Sequence, residues 1–282
     1  MKRYRNLVTM LAGVVLVGTV WSLGRLAQAA DIAHEVRQGA GQSAGFGELG
    51  LAASIHRIPI VGLSDNEKDP ADASLSFGLL LNGMIEWRGF FAEAIFDSFG
   101  GIALGYRLYE DERRSLEFVL SNTLAELTTE TEGFETIEDR DADLVAGLRS
   151  SFYLPNSIIQ VSLLSDVLDT HGGFSASAQW GRFWQVRNWN LHAMVGARYF
   201  SNKLTDYYFG VSPAEVSAMT PLYTAGGGTM AEFELGATLP LKEDWIFRTG
   251  VQLYQFPDAI ADSPLTLKDQ AYLFNNSINY VF

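Results

Sequence analysis

The chain has 282 residues, 48% of them hydrophobic, 19% charged and none cysteine, with a formal net charge of −13. The missing cysteine excludes a disulfide scaffold and a thiolate zinc site, the acidic balance excludes a phosphate-backbone binder and so nucleic acid as a partner, and 12% aromatic content excludes general disorder. A mean hydropathy of +0.06 leaves open whether the apolar half forms a soluble core or faces lipid.

Residues 1–29 have the layout of a secretory signal peptide. Lys2, Arg3 and Arg5 precede the uncharged run Leu7–Gly24, and Ala27-Gln28-Ala29 is a small-residue cleavage site. The alternative is an uncleaved anchor helix. Removing residues 1–29 takes away Lys2, Arg3, Arg5 and Arg25, which leaves 16 basic residues against 33 acidic and a charge of −17 for residues 30–282. Beyond residue 30 every uncharged stretch is short or broken by glycine and proline, so a membrane location requires a closed barrel.

From residue 44 onward the chain reads as strands of period two. Leu116, Phe118 and Leu120 alternate with Glu117, Val119 and Ser121, and Phe233, Leu235 and Ala237 alternate with Glu232, Glu234 and Gly236. About twelve such segments are predicted: 44–58, 74–87, 89–97, 100–109, 113–127, 140–154, 156–166, 172–186, 189–200, 223–239, 245–256 and 271–282. Connections at 88–89, 155–156, 187–188 and 241–244 are short and follow even strands. Those at 59–73, 127–140, 201–222 and 257–270 are long and follow odd strands, whereas the link after the third strand is short and breaks the trend. This parity is the mark of an all-β, transmembrane, up-and-down antiparallel β-barrel with short periplasmic turns and long outer loops. A soluble β-sandwich, the alternative, has no reason to sort its loops this way.

The last strand ends on Phe282, with Tyr280, Ile278, Phe274 and Tyr272 in register on one face. This pattern resembles the signal read by the barrel assembly machinery of the bacterial outer membrane, with Tyr280 and Phe282 as its core. Trp87, Trp180, Trp184, Trp189, Trp245 and Tyr254 lie near strand ends, as interfacial girdles do.

The segment Tyr207-Tyr208-Phe209-Gly210-Val211-Ser212-Pro213-Ala214-Glu215, then Tyr223-Thr224-Ala225-Gly226-Gly227-Gly228, and later Asp262-Ser263-Pro264-Leu265, resembles the MipA/OmpV family of outer-membrane proteins. The match covers the last third of the chain. Arg57-Ile58-Pro59-Ile60, followed by the charged loop Asp65–Asp72, departs from the family's opening motif. The resemblance implies an outer-membrane barrel in contact with outer-membrane lipids and lipopolysaccharide. It also implies a scaffold role joining a murein hydrolase to a penicillin-binding protein that synthesises murein. Other members look like small porins or adhesins, and the alternative function is a small porin or channel for polar solutes.

Little points to catalysis or to a cofactor. Gly41-Gln42-Ser43-Ala44-Gly45 spells G-x-S-x-G but opens a strand, not the strand–turn–helix of a nucleophile elbow. His34, His56, His171 and His192 have no metal-ligand spacing. The reading is a non-enzymatic barrel. The acidic run 126–143, with Arg140 as its one base, is read as a solvated, self-repelling loop, the alternative being divalent-cation binding near lipopolysaccharide phosphates.

By register the lumen should hold Glu86, Glu93, Arg107, Glu117, Arg149, Arg198, Glu232, Glu234 and Arg248, with His192 also inward. Paired across the lumen, these charges would plug it; separated onto opposite walls, they would set a transverse field across a narrow pore. The loop 201–222, with Tyr207, Tyr208, Phe209 and a helix expected near Pro213–Met219, is either a contact surface or an inward constriction of the mouth.

Overall fold

A computed structural model describes residues 45–64, 70–98, 101–128 and 131–282. The expected leader 1–29, His34 and most of the G-x-S-x-G stretch lie outside the described residues. Twelve strands form the chain's frame: β1 Phe46–Arg57, β2 Ser74–Trp87, β3 Phe90–Ala94, β4 Ile102–Glu110, β5 Arg114–Ser121, β6 Val145–Leu154, β7 Ser157–Asp166, β8 Phe174–Val186, β9 Trp189–Phe200, β10 Gly228–Lys242, β11 Trp245–Gln255 and β12 Gln270–Val281. Each pairs antiparallel with its sequence neighbours, and β1 pairs with β12 to close the barrel. Closure removes every sheet edge, so all ladder groups are bonded within the protein. At the seam, Phe282 donates its N–H to the Gly47 carbonyl at 2.9 Å, so the last residue is part of the closing ladder.

The alternation read from the sequence sets the two faces. Leu51, Leu75, Phe77, Ile85, Leu163 and Ile278 are exposed on the outer wall, while Glu48, Asn82, Glu117, Arg149, Glu232 and Asn279 are buried inside. Two-residue turns join β2 to β3, β6 to β7, β8 to β9 and β10 to β11 at one end. Arg88 and Gly89 both have positive φ (52° and 85°), the backbone that matches the twist of a tight hairpin. Among the six aromatics expected at girdles, Trp87, Trp180, Trp184 and Trp245 are exposed outside, whereas Tyr254 is buried and faces in because its even position falls in step with Arg248 and Gln252.

Four strands differ most from expectation. β3 stops at Ala94, and residues 95–98 turn into the lumen. β5 stops at Ser121, and Leu124 and Leu127, although still alternating, pack inside the mouth of the barrel. β6 starts at Val145, and β10 starts at Gly228 and runs on to Lys242 through a bulge. The expected helix near Pro213–Met219 is a single turn, closed by the Glu215 N–H on the Ser212 carbonyl at 3.0 Å. Ser217 and Thr220 then bond to each other and end it. The helix of this loop, α1, is instead Asn202–Phe209, with Leu204, Thr205, Tyr208 and Phe209 buried on one face. A second short helix, α2, is Asp258–Ala261.

The long-loop end is therefore filled. Ile58, Ile60, Leu63, Leu124, Leu127, Leu204, Tyr208, Phe209, Phe256 and Ile260 form one apolar cluster across the mouth. Below it, toward the short turns, the interior is lined by charged and amide side chains.

Candidate functional site

The nine charges expected in the lumen all point inward, and each is paired. In one group, Arg149 donates from Nε to Glu117 at 2.6 Å and from Nη1 to Glu93 at 2.7 Å. Glu117 also takes the Arg107 Nε at 3.2 Å, and Arg107 Nη1 reaches Glu86 at 2.8 Å and Glu110 at 3.1 Å. The five neighbouring strands β2 to β6 place these six residues side by side. Glu86 and Glu110 sit at the short-turn rim and keep some exposure.

In a second group, Arg198 donates to Glu232 at 2.9 Å, and Gln179 takes the other Glu232 oxygen at 2.9 Å. His192 Nε2 lies 2.8 Å from Glu234 Oε1. The ring fits there because Gly236 faces it; a Cβ at 236 would stand 2.3 Å from the imidazole.

A third group closes the interior. Arg248 holds Glu48 through two bonds of 2.7 and 2.9 Å and also reaches Asp97 at 2.9 Å. Asp97 belongs to the inward segment 95–98, which Asn82 fastens to β2 through the Asp97 carboxylate and the Phe96 N–H, both at 2.9 Å. Its neighbour Ser98 donates to Glu234 at 2.6 Å, and Gln252 bonds the Asp97 carbonyl at 2.9 Å. The segment leaves β3 and bonds β10 and β11, strands on the far side of the closed sheet. It is a bar across the lumen. Buried charges persist only when paired and hydrogen-bonded, and this network satisfies that demand with fork-shaped guanidinium contacts.

Glu48, Asp97, Glu110, Asn82 and Ser98 escaped the sequence reading. Glu48 sits between Gly47 and Gly50, where small residues blur the alternation, and Asp97 was assigned to a strand. The turn-forming run Asp97-Ser98-Phe99-Gly100 was the available signal.

Above the charges lies the lid. Tyr208 and Phe209 are buried and Tyr207 is half-buried, so the motif 207–212 turns inward and constricts the mouth. Arg140 ties the lid together: Nε donates to the Tyr207 carbonyl at 2.7 Å and Nη2 to Glu215 at 2.6 Å. Glu215 also accepts the N–H groups of Ser212 at 2.8 Å and Glu138 at 3.0 Å. Burial raises the Glu215 carboxyl, but the Ser212 N–H, the Arg140 guanidinium and the Glu138 N–H outweigh it and hold its pKa below the usual glutamate value. Gly210 follows α1 because a side chain there would strike the Asp206 carbonyl at 2.3 Å.

The acidic run is a solvated loop on its charged face, with Glu126, Glu132, Glu135, Glu138, Asp139 and Asp141 exposed, but it is anchored from beneath. Leu127, Phe134 and Ile137 are buried, and Asp143 accepts the Thr123 N–H at 2.6 Å and faces His171 Nε2 at 3.0 Å. The Gly173 N–H donates to His171 Nδ1 at 2.8 Å, which leaves the ring proton on Nε2 for Asp143. Buried apolar anchors and Arg140 overcome the repulsion that the one-dimensional charge count suggested. Among the described residues no group of three His, Asp or Glu side chains could hold a metal ion. Tyr280 and Phe282 lie exposed on the outer wall beside β1, with their rings stacked 6.4 Å apart.

A family model described as MltA-interacting protein MipA matches residues 49–282. The MltA-interacting protein of Escherichia coli K12 is 25% identical over 193 residues, covering 65% of this chain and 76% of that protein. The outer membrane protein OmpV of Vibrio cholerae is 22% identical, covering 52% of this chain and 57% of that one. Among solved structures, the loop L8 deletion mutant of OmpT, an outer membrane protein of Vibrio cholerae, is similar over 85% of this chain and 98% of its own, with 9% identity and a TM-score of 0.39. An anion-selective porin from Comamonas acidovorans covers 85% of this chain and 99% of its own, with 9% identity and a TM-score of 0.36. The closed twelve-stranded sheet with its apolar outer wall, and the match over nearly all of it, lead to one conclusion: the chain belongs to the MipA family of outer-membrane β-barrels.

Proposed function

We propose that this barrel is a closed, non-enzymatic scaffold of the outer membrane whose periplasmic side docks murein-processing enzymes. The observation that carries the reading is the double plug. Residues 95–98 bar the charged half of the lumen, and α1 with the loop after β5 fills the apolar half. A barrel built to pass polar solutes gains nothing from burying Tyr208 and Phe209 in its mouth. A barrel that holds partners needs a rigid frame and accessible turns, and it has both. The name of the Escherichia coli relative, MltA-interacting protein, agrees with a murein enzyme as the partner class.

The short turns around 187–188 and 241–244 face the periplasm by the loop-length rule and are the docking surface in this reading. With the tagged barrel as bait, a lytic transglycosylase or a penicillin-binding protein should co-purify. Bulky insertions at either turn should abolish that co-purification while heat-modifiable migration shows the barrel intact. Unchanged capture by both insertion variants would remove these turns as the docking surface. The competing reading, a small channel for polar solutes, requires the plug to leave, and the mixed signs of the lumen charges then favour weak ion selectivity.

A further inference from the structure

The outer wall is apolar along nearly its whole height. The charged side chains that the described strands turn outward are Arg57, Arg114, Arg182 and, past the β10 bulge, Lys242, and all four are cationic. Three of them stand at strand ends: Arg57 closes β1, Arg114 opens β5 and Lys242 closes β10. Arg57 and Arg114 also lie over aromatic rings, those of Tyr272 and Tyr109, at 5.0 and 5.1 Å.

Arg182 differs. It is exposed, lies four residues inside β8 and shares its face with Trp180 and Trp184 on either side. Its cross-strand partners are small, Ser157 on β7 and Ala193 on β9, so the two indoles and the two small residues frame a shallow notch with a guanidinium at its centre. Among the described residues no carboxylate pairs with it, and the outward faces of β7 and β9 carry none. A strand residue advances about 3.3 Å, and barrel strands tilt by about 40°, so Arg182 sits roughly 10 Å above the short-turn end. From that height a long side chain reaches the phosphate layer of the near leaflet.

We propose that Arg182, Trp180 and Trp184 form a binding site for an anionic glycerophospholipid of the periplasmic leaflet, with phosphatidylglycerol as the ligand. The guanidinium takes the phosphodiester and the indoles pack beside the glycerol and upper acyl chains. The notch holds no acid to receive an ethanolamine ammonium, so a net-anionic headgroup is preferred over a zwitterionic one. Lipopolysaccharide belongs to the opposite, long-loop leaflet. A second copy docked here by a two-fold axis would set two guanidiniums against each other.

Native mass spectrometry of the folded chain, released from micelles with added phosphatidylglycerol or phosphatidylethanolamine, tests this. The wild type should retain phosphatidylglycerol about tenfold more tightly than phosphatidylethanolamine, the size of one charge-assisted contact. Arg182→Gln should bring the two lipids level, Arg182→Lys should keep part of the preference, and Arg114→Gln should leave it whole. Equal retention of both lipids by the wild type, or full preference in Arg182→Gln, would overturn the site. Displacement of the lipid by lipopolysaccharide, or a dimer that disappears in Arg182→Gln, would overturn it as well. If Arg182→Gln does not migrate as a folded barrel, the comparison rests on Arg182→Lys and Trp180→Ala. Either of them retaining the full wild-type preference overturns the site.

Discussion

A guanidinium inside a barrel is tolerated only while carboxylates surround it, and Arg149 shows the rule in its sharpest form. It lies between Glu93 and Glu117 with almost no exposure. Removing one partner of a buried pair leaves an uncompensated charge, which costs about 3–5 kcal/mol. Arg149→Met should therefore lower the unfolding free energy of the refolded barrel by that amount in a urea titration. Changing Glu93 and Glu117 to Gln as well should recover most of the loss. Arg149→Met at wild-type stability would show that the pairs do not hold the lumen. Glu215 makes the matching case in the lid. Its carboxyl is held below the ordinary value of 4.5, so its contribution is complete above that value and is lost as the pH falls through the lowered one. Protease resistance of residues 201–227 should drop on acidification below about 4.5, and Glu215→Gln should be weaker at neutral pH and lack that step. A step that persists in Glu215→Gln belongs to another acid. At this scale the sequence was informative wherever alternation was regular: the nine inward charges needed only parity. Asp97 keeps the inward parity of Phe91, Glu93 and Ile95, all buried, so parity reaches it as well; what one dimension lacks is the turn that carries it across to Arg248.

Elements show the same divide between period and context. The strands were legible because each alternates one residue for lipid with one for the interior, a pattern that survives in one dimension. Their ends were not, because Leu124 and Leu127 continue the alternation while packing against other loops. α1 was passed over in favour of Pro213-Ala214-Glu215, whose proline suggested a first turn. The signals for α1 were the i, i+4 pair Leu204 and Tyr208 and the stop at Gly210. Phe209 closes that helix inside the apolar mouth. Phe209→Ala should destabilise the barrel by about 3–5 kcal/mol, read by chemical unfolding, since the cavity it leaves has rigid strand walls. A loss below about 1 kcal/mol would mean that the mouth collapses around the gap and is less tightly packed than its burial indicates.

For the whole molecule, the near-zero mean hydropathy is the average of an apolar outside and a polar inside, inverted from a soluble protein. Loop parity pointed to the barrel, and the closed twelve-stranded sheet agrees with it. What one dimension could not provide was the state of the lumen, because pairing across a closed sheet joins residues as far apart as Glu48 and Arg248. A closed lumen rests on that pairing and on the lid above it, and conductance of the refolded barrel in planar bilayers addresses both at once. A closed lumen predicts silent bilayers from wild-type protein whose heat-modifiable migration shows correct folding, and equally silent ones after Arg198→Gln with Glu232→Gln. Stable ohmic steps from the wild type, changed in size by those two substitutions, would contradict it.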